Sequence, residues 1–280
     1  MEASKGMIFV EESRIAVPWA QGEGESDAPD GGWETALPAA ALYTLTLDQM
    51  MGRAPRIIHA PSLRVCSAKA LAKGKARRIR LVHVSDTHLK HPEIVVPPCD
   101  VLVHSGDFST RLTPDELPQV LASFNEWLAA APAAHRVVVC GNHEIALSRM
   151  TADDIQALMP DVVYLQDSGA KIEGIKFYGL PWTHASRSYA FGTNEAGLAK
   201  ACKKIPKKTD VLVCGKSHAG KRHWGSHALA ARVAKIKPKL HLYGHVHDVV
   251  GVRLAPSGCT MFSNASYDIA HPVVVVDLYV

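Results

Sequence analysis

Four short stretches of this chain carry side chains that could do chemistry together. They are Asp86-Thr-His88, Gly106-Asp107, Gly141-Asn142-His143-Glu144 and Gly244-His245-Val-His247. Carboxylates, a carboxamide and imidazoles form a donor set suited to two divalent transition metals. Mixed oxygen and neutral nitrogen donors match Mn, Fe or Zn, whereas an all-oxygen set would suit Mg or Ca. Asp86 and His88 are alternate residues, as are His245 and His247. In an extended strand each pair faces one side; in a tight loop it can straddle a metal pair. Asp107 follows a glycine, where the missing side chain lets the backbone approach a site, and its two oxygens can bridge two cations. Histidine is the unusual count, with 15 in 280 residues.

Each stretch closes an apolar run: IRLVHVSD (79–86), DVLVHSGD (100–107), RVVVCGNH (136–143) and LHLYGHVH (240–247). KFYGLP (176–181) and DVLVCG (210–215) are runs of the same kind. All six read as buried strands running into loops. Helical spacing lies between them: over 114–130, from Thr151 with Asp153 and Asp154 in its first turn, over 190–204 and over 226–234. The end, TMFSNAS then PVVVVDLYV, reads as strands. Strands alternating with helices, then a strand-rich end, predict α/β layers around a mixed sheet. Ligands of such sheets bind outside the carboxyl ends of the strands, so four ends offering Asp, Asn or His imply one point of convergence.

In this order and context the four blocks resemble the calcineurin-like metallophosphoesterase signature. The stretches DFSTRLTPDELPQVLASFNEWL, VVYLQDSG, IKFYGLPWT, KPKLHLYGHVH and SNAS are similar to the metallophosphoesterase-domain (MPPED) phosphodiesterases. The likeness spans 79–280. The resemblance implies a layered αββα sandwich with mixed sheets over 79–280; residues 1–78, with the acidic QGEGESDAPDGG at 21–32, read by composition as a partly flexible N-terminal extension. It implies two divalent metal ions: Asp86, His88 and His247 on one, Asn142 and His245 on the other, and Asp107 bridging. His143 would face the scissile phosphate as a general acid or a charge stabiliser, with Asn142 beside it, and Glu144 would stand behind and orient His143.

One block departs from the family pattern. After DVLV the family carries a strand end with Thr-His-Gly-Pro or similar; here the residues are Cys214-Gly215-Lys216-Ser217-His218. Gly215 falls in the slot of a histidine ligand. Either His218 reaches back as a substitute ligand, or the second metal takes water instead.

Composition sets the bounds. A chain this long buries a core without disulfides, and 47% hydrophobic with 21% charged residues is ordinary for a globular protein. No run is long enough to cross a membrane as a helix, and the start shows no secretory pattern. The six cysteines form no CxxC pair, which argues against a zinc ribbon or dithiol site and for reduced thiols in a cytoplasmic protein. A net charge of +4 permits an anionic substrate. The Lys-rich run over 200–239 reads as a solvated face, with few aromatic residues, so nucleic acid is not the expected partner. His104 could stand behind the metal ligands but reads first as a core histidine bonded to backbone, and His83 still more so. Trp182 and Phe191 could stack on a base but read first as packing, and His184 and Arg187 could contact a phosphate or base.

The resemblance therefore implies a phosphodiesterase for a nucleotide or cyclic nucleotide, working by metal-hydroxide attack on phosphorus. A low-turnover metal- or nucleotide-binding scaffold is the alternative, motivated by Gly215, and a nuclease is a weaker third. Oligomeric state is not legible.

Overall fold

The computed structural model describes residues 57–64, 77–184, 189–215, 225–247, 250–255, 259–267 and 273–280. The strands are β1 (Ile57–Arg64), β2 (Arg78–Val84), β3 (Cys99–His104), β4 (Ala133–Val138), β5 (Val163–Tyr164), β6 (Ser168–Ile172) and β7 (Ile175–Leu180). They continue with β8 (Thr183–His184), β9 (Gly192–Thr193), β10 (Val211–Cys214), β11 (Leu240–Tyr243), β12 (Gly251–Leu254), β13 (Met261–Asn264) and β14 (Val273–Tyr279). The α-helices are α1 (Leu117–Ala130), α2 (Ala152–Leu158), α3 (Glu195–Lys204) and α4 (His227–Ile236).

Two six-stranded sheets form, in the orders β1-β14-β2-β3-β4-β5 and β12-β13-β11-β10-β7-β6. In the first, β2, β3, β4 and β5 run parallel and β14 is antiparallel to β2. In the second, β7, β10, β11 and β13 run parallel, with β6 and β12 antiparallel at the edges. Both sheets are mixed, as the sequence predicts.

Alternation along the strands creates three apolar zones. Leu81, Val101, Val103 and Val137 meet Phe177, Val211, Val213, Leu240 and Leu242 between the sheets. The opposite faces of β2 and β3 put Val82, Val84 and Leu102 against Phe124 and Leu128 of α1 and Ile155 of α2. Leu212 and Phe262 meet Leu198 of α3 and Leu229 and Val233 of α4. Residues i and i+1 of a strand point to opposite sides, so strands apolar on both faces require a layer on each. The result is the expected αββα sandwich.

The helix starts follow capping chemistry. Thr151 and Asp154 form a capping box on α2, Asn194 caps α3 and Ser226 caps α4. The helix expected over 190–204 is shorter: Asn194 is its cap, and Gly192–Thr193 pairs with β8 instead. The chain from 190 to 193 thereby returns to the turn at Asn142, whose carbonyl accepts the Ala190 N–H at 2.9 Å. Within the stretch read as an extension, β1 pairs in parallel with β14 at the sheet edge. A further helix that the sequence allows over 37–51 lies outside the described residues.

Candidate metal centre

The functional side chains sit where the parallel strands of both sheets end. Asp86 and His88 follow β2, Asp107 follows β3, Asn142 and His143 follow β4, and His245 and His247 follow β11. Backbone joins the sheets here: the Ser85 N–H donates to Ala265 at 3.0 Å and the Tyr267 N–H to Ser85 at 2.7 Å. Asp86, His88, Asp107 and His245 all have positive φ, at 54°, 43°, 54° and 73°. Such conformations are uncommon without glycine and gather at functional sites, because the surrounding contacts must hold them.

Two groups of donors converge. One donor atom from each of Asp86, His88 and His247 lies within 4.8 Å of the others, and the same holds for His88, Asp107 and His143. His247 Nε2 is 3.4 Å from Asp86 Oδ1. His245 Nδ1 is 2.5 Å from Asn142 Oδ1, which brings together the two residues expected on the second metal. The His245 N–H donates to both Asp86 oxygens, at 2.9 and 2.8 Å, across 159 residues of sequence. A side chain on Gly244 would collide with Asp86 Oδ2, and one on Gly141 with Asp107 Oδ1, so both glycines are set by close approach of a site carboxylate.

The electrostatics fit cations. Asp86 and Asp107 are both buried, at 1% and 2% exposure, and the charge of Asp86 acts on the Asp107 carboxyl. Burial, then Glu144 and Asp86, drives the Asp107 carboxyl well above its usual range. His247, Ser85 and the His245 amide hold Asp86 below its usual range against the cost of burial. Three buried carboxyls side by side, faced by imidazoles, form a site that divalent cations would neutralise. The donor chemistry therefore fits a metal.

His143 is half-buried, and its Nδ1 has no hydrogen-bond partner among the described residues. Burial first, then His88, pushes its pKa down to about 4. Its ring meets His88 edge-on at 4.7 Å between centroids.

A family model for the calcineurin-like phosphoesterase matches residues 79–249. The chain belongs to the calcineurin-like phosphoesterase family. It is 34% identical over 208 residues to a UPF0046 protein of Caenorhabditis elegans, covering 67% of this chain and 69% of that one. It is 30% identical over 236 residues to metallophosphoesterase domain-containing protein 1 of Homo sapiens, covering 71% of each. Calcineurin-like phosphoesterases are metal-using hydrolases of phosphoric esters, and this chain has candidate ligand groups for such metals.

Within this phosphoesterase, Glu144 does not orient His143, contrary to the sequence expectation. Its carboxylate accepts the N–H of Asp107 at 2.9 Å, of Ser109 at 3.0 Å and of Gly141 at 2.6 Å, and the Ser109 hydroxyl at 2.9 Å. The physical reason is position: Glu144 is buried beneath the Asp107 turn, where four donors already converge on it. It fixes the candidate bridging residue. The Ser109 carbonyl in turn lies 3.1 Å from His88 Nδ1, which leaves Nε2 of His88 for a metal.

Gly215 is not a vacant slot awaiting a side chain. A Cβ there would lie 2.5 Å from the Cys140 carbonyl oxygen and 3.0 Å from Gly141 Cα, both backbone. Glycine is what allows β10 of one sheet to meet the end of β4 of the other. His218 lies outside the described residues, as do Arg187 and the side chain of His184. Trp182 donates its indole N–H to Asp167 at 2.9 Å and packs edge-on against buried Phe191, so both are engaged in packing.

Three groups position the ligand turns, and two of them, Ser266 and Asn264, escaped the sequence reading. His104 is a core histidine bonded to backbone, as expected, but it also fastens two ligand turns. Its Nδ1 accepts the Gly106 N–H at 3.3 Å and its Nε2 lies 3.2 Å from Thr87 Oγ1. Ser266 donates to Asp86 Oδ2 at 3.2 Å, and Asn264 donates to the Val246 carbonyl at 2.7 Å, between the two histidines of the last block. Both belong to SNAS, a stretch that carried the resemblance without a role. His83 bonds to the hydroxyls of Ser263 and Ser105, at 2.9 Å each, rather than to backbone.

Proposed function

We propose that the chain is a dimetal phosphodiesterase acting on a nucleotide or cyclic nucleotide, with residues 79–280 as its catalytic domain and 1–78 as an extension. The observation that carries the reading is the convergence of buried Asp86 and Asp107 with His88, His247, His245 and Asn142 where the strands end. The nucleotide part rests on the likeness to MPPED phosphodiesterases in the stretches around these blocks.

Asp86, His88 and His247 would hold one cation, Asn142 and His245 another, with Asp107 shared. Mn, Fe or Zn suit these donors. Divalent cations supply Lewis acidity toward phosphoryl oxygens and a hydroxide nucleophile near neutral pH. His143 is neutral at pH 7 in its half-buried setting, so it serves the leaving oxygen first as a hydrogen-bond donor, and as an acid once a bound anion raises its pKa. Glu144, His104 and Ser266 keep the ligand turns in place while charge moves.

A metal- or nucleotide-binding scaffold of low turnover is the second reading, favoured by the packed Gly215. A matrix of metals against aryl phosphodiesters, monoesters and cyclic nucleotides separates the two. Hydrolysis of a diester with Mn supports the enzyme; tight nucleotide binding without product supports the scaffold. In His143→Ala, metal content is expected to stay at the wild-type level while turnover falls by about 10² to 10⁴. Loss of metal in that variant would place His143 among the ligands.

A further inference from the structure

Two stretches that carry the family likeness, VVYLQDSG and IKFYGLPWT, meet at one bond outside the ligand blocks. The Trp182 indole N–H donates to Asp167 Oδ1 at 2.9 Å. Asp167 stands on a locked turn between β5 and β6: the Tyr164 hydroxyl donates to Gln166 Oε1 at 2.7 Å, and the Gln166 N–H to Ser168 Oγ at 3.1 Å. The Leu165 N–H donates to the Val138 carbonyl at 2.9 Å, so this turn is built on β4, the strand that runs into Asn142. Trp182 follows β7 of the other sheet. Its ring meets Phe191 edge-on at 6.0 Å between centroids, and the Phe191 carbonyl accepts the Thr183 N–H at 2.9 Å. Ala190, the neighbour of Phe191, donates its N–H to the Asn142 carbonyl at 2.9 Å. These contacts close a circuit that leaves β4, crosses to the other sheet and returns to the turn after β4.

An indole with its N–H satisfied is usually packing and no more. Two backbone angles argue for a further role here. Asp167 and Phe191 have φ of 49° and 51°. Asp tolerates that region, but a bulky aromatic persists there only where its surroundings over-determine it. At Phe191 the bend lets Gly192–Thr193 pair with β8 while Ala190 reaches Asn142. Asp167 also holds Lys204 at 2.8 Å, but that lysine is exposed, and such a pair contributes little. The indole bond is the one that links Asp167 to the bend.

We propose that Asp167 is a positioning residue for the second cation: through Trp182 and Phe191 it fixes the Asn142 turn, and with it the side chain that joins His245 at that cation. The proposal rests on the dimetal reading and deepens it, because it makes the affinity of one cation depend on a carboxylate that touches no ligand. Asn142 Oδ1 already lies 2.5 Å from His245 Nδ1, so a small rotation of the turn changes the spacing of this pair. The side of Asp86, His88 and His247 has its own tethers and does not draw on this circuit.

The test uses the full chain. Mn binding is followed by calorimetry and by metal content after dialysis at set Mn concentrations, so that the two cations are read separately and without turnover. Asp167→Gly removes the carboxylate and leaves the backbone angle at no cost. It is expected to weaken the second Mn about 3- to 10-fold and to leave the first unchanged. Trp182→Phe keeps a ring against Phe191 and loses the indole N–H. It should show a similar loss, and the double variant no more than either alone, because the two changes break one link. Asp167→Asn keeps an oxygen for the indole and tolerates the same φ, so it should recover most of the loss. Lys204→Ala should bind Mn as the wild type does. Hydrolysis of an aryl phosphodiester by Asp167→Gly should fall at limiting Mn and return at saturating Mn.

Equal weakening of both cations, or a loss in Lys204→Ala as large as in Asp167→Gly, overturns the proposal. Wild-type Mn binding in an Asp167→Gly protein that still cleaves the diester overturns it and leaves the phosphodiesterase reading standing. A wild type that takes up fewer than two Mn and cleaves no ester overturns both. Should Asp167→Gly melt too low to titrate, Trp182→Phe decides by the same criteria.

Discussion

The two sides of the candidate metal centre are built differently. On the side of Asp86, His88 and His247, each turn has a second tether: Ser266 and the His245 amide on Asp86, the Ser109 carbonyl on His88, and Asn264 on the turn before His247. On the side of Asn142 and His245, the neighbouring β10 end contributes Gly215, packed against the backbone at 140–141. One side has candidate ligands and their supports; the other gives the position where the sequence reading placed a histidine ligand to the joint between sheets. The lesson is that a residue read as a missing ligand can be a packing solution. The substitution that would restore the family residue must first displace main chain.

Asp107 is where the two sides meet, and its loss should have the largest effect. Asp107→Asn removes the anion that both cations would share. At roughly 3.5 to 4 Å, two divalent ions without a common carboxylate repel strongly. Metal content after dialysis should fall for both sites together, and hydrolysis should drop by about 10³ or more. Unchanged stoichiometry in this variant would remove Asp107 from the bridging role and break the comparison at its centre.

Glu144→Gln comes next. The carboxylate now takes three N–H donors and one O–H with two oxygens. A carboxamide has one oxygen, and its NH₂ would face N–H groups, leaving buried donors without acceptors. A cost of about 2 to 4 kcal/mol is expected, read as a lower denaturation midpoint. Metal affinity should fall with it, because Asp107 and Gly141 lose their common anchor. A variant as stable as wild type would show that the Asp107 turn is held by its strands alone.

Much of this was legible in the sequence, for a physical reason. Apolar runs ending in Asp, Asn, His and Gly report buried parallel strands and their loops locally, so the six runs, the layers and the donor blocks could be read from residue type and period. What could not be read are neighbours brought together from distant segments. Glu144 sits next to His143 in sequence but points beneath a turn 35 to 37 residues earlier. His104 looks like one more strand residue until β2 and β3 place Thr87 and Gly106 at its two nitrogens. Gly215 looks like a lost ligand because the sequence does not show that β10 abuts the end of β4. The edge strand β1 went unseen because its partner, β14, lies at the other end of the chain.

Gly215→His sharpens the contrast between the two sides. An imidazole suited to a metal cannot be added without moving the Cys140 carbonyl, 2.5 Å from the new Cβ. A loss of about 1 to 3 kcal/mol is expected from overpacking, and Gly215→Ala should show most of it, because the clash begins at Cβ. Thermal melts with and without Mn distinguish the cases. If metal restores Gly215→His but not Gly215→Ala, the histidine has reached a cation and the joint between sheets is softer than its distances imply. If both stay low with metal, the glycine belongs to packing.

The smallest effect concerns the polar layer beneath the site. His83 and His104 are fully buried, and burial pushes the pKa of each down to about 3. Their nearness to Asp86 opposes the shift without cancelling it. Both are neutral in the folded protein at pH 7, which their hydrogen bonds also require: His104 Nδ1 must stay unprotonated to accept from Gly106. The unfolded chain takes up these protons near pH 6.5 and the folded chain only near pH 3, so acid favours unfolding across that window. Each histidine should then cost about 1.4 kcal/mol of stability per pH unit below roughly 6.5, levelling off near 3. His83→Gln removes one of the two groups while leaving a side chain able to bond Ser263 or Ser105. Urea unfolding of the metal-stripped protein at pH 7, 6 and 5 should show a shallower loss of stability in the variant, by about 1.4 kcal/mol per unit. Stripping the metal removes the slope from proton competition with bound cations, and the remaining ligand titration is common to both proteins and cancels in the comparison. Equal slopes in the two proteins would mean that the folded state accommodates a charged His83, and that the layer below the site is wetter than its burial implies.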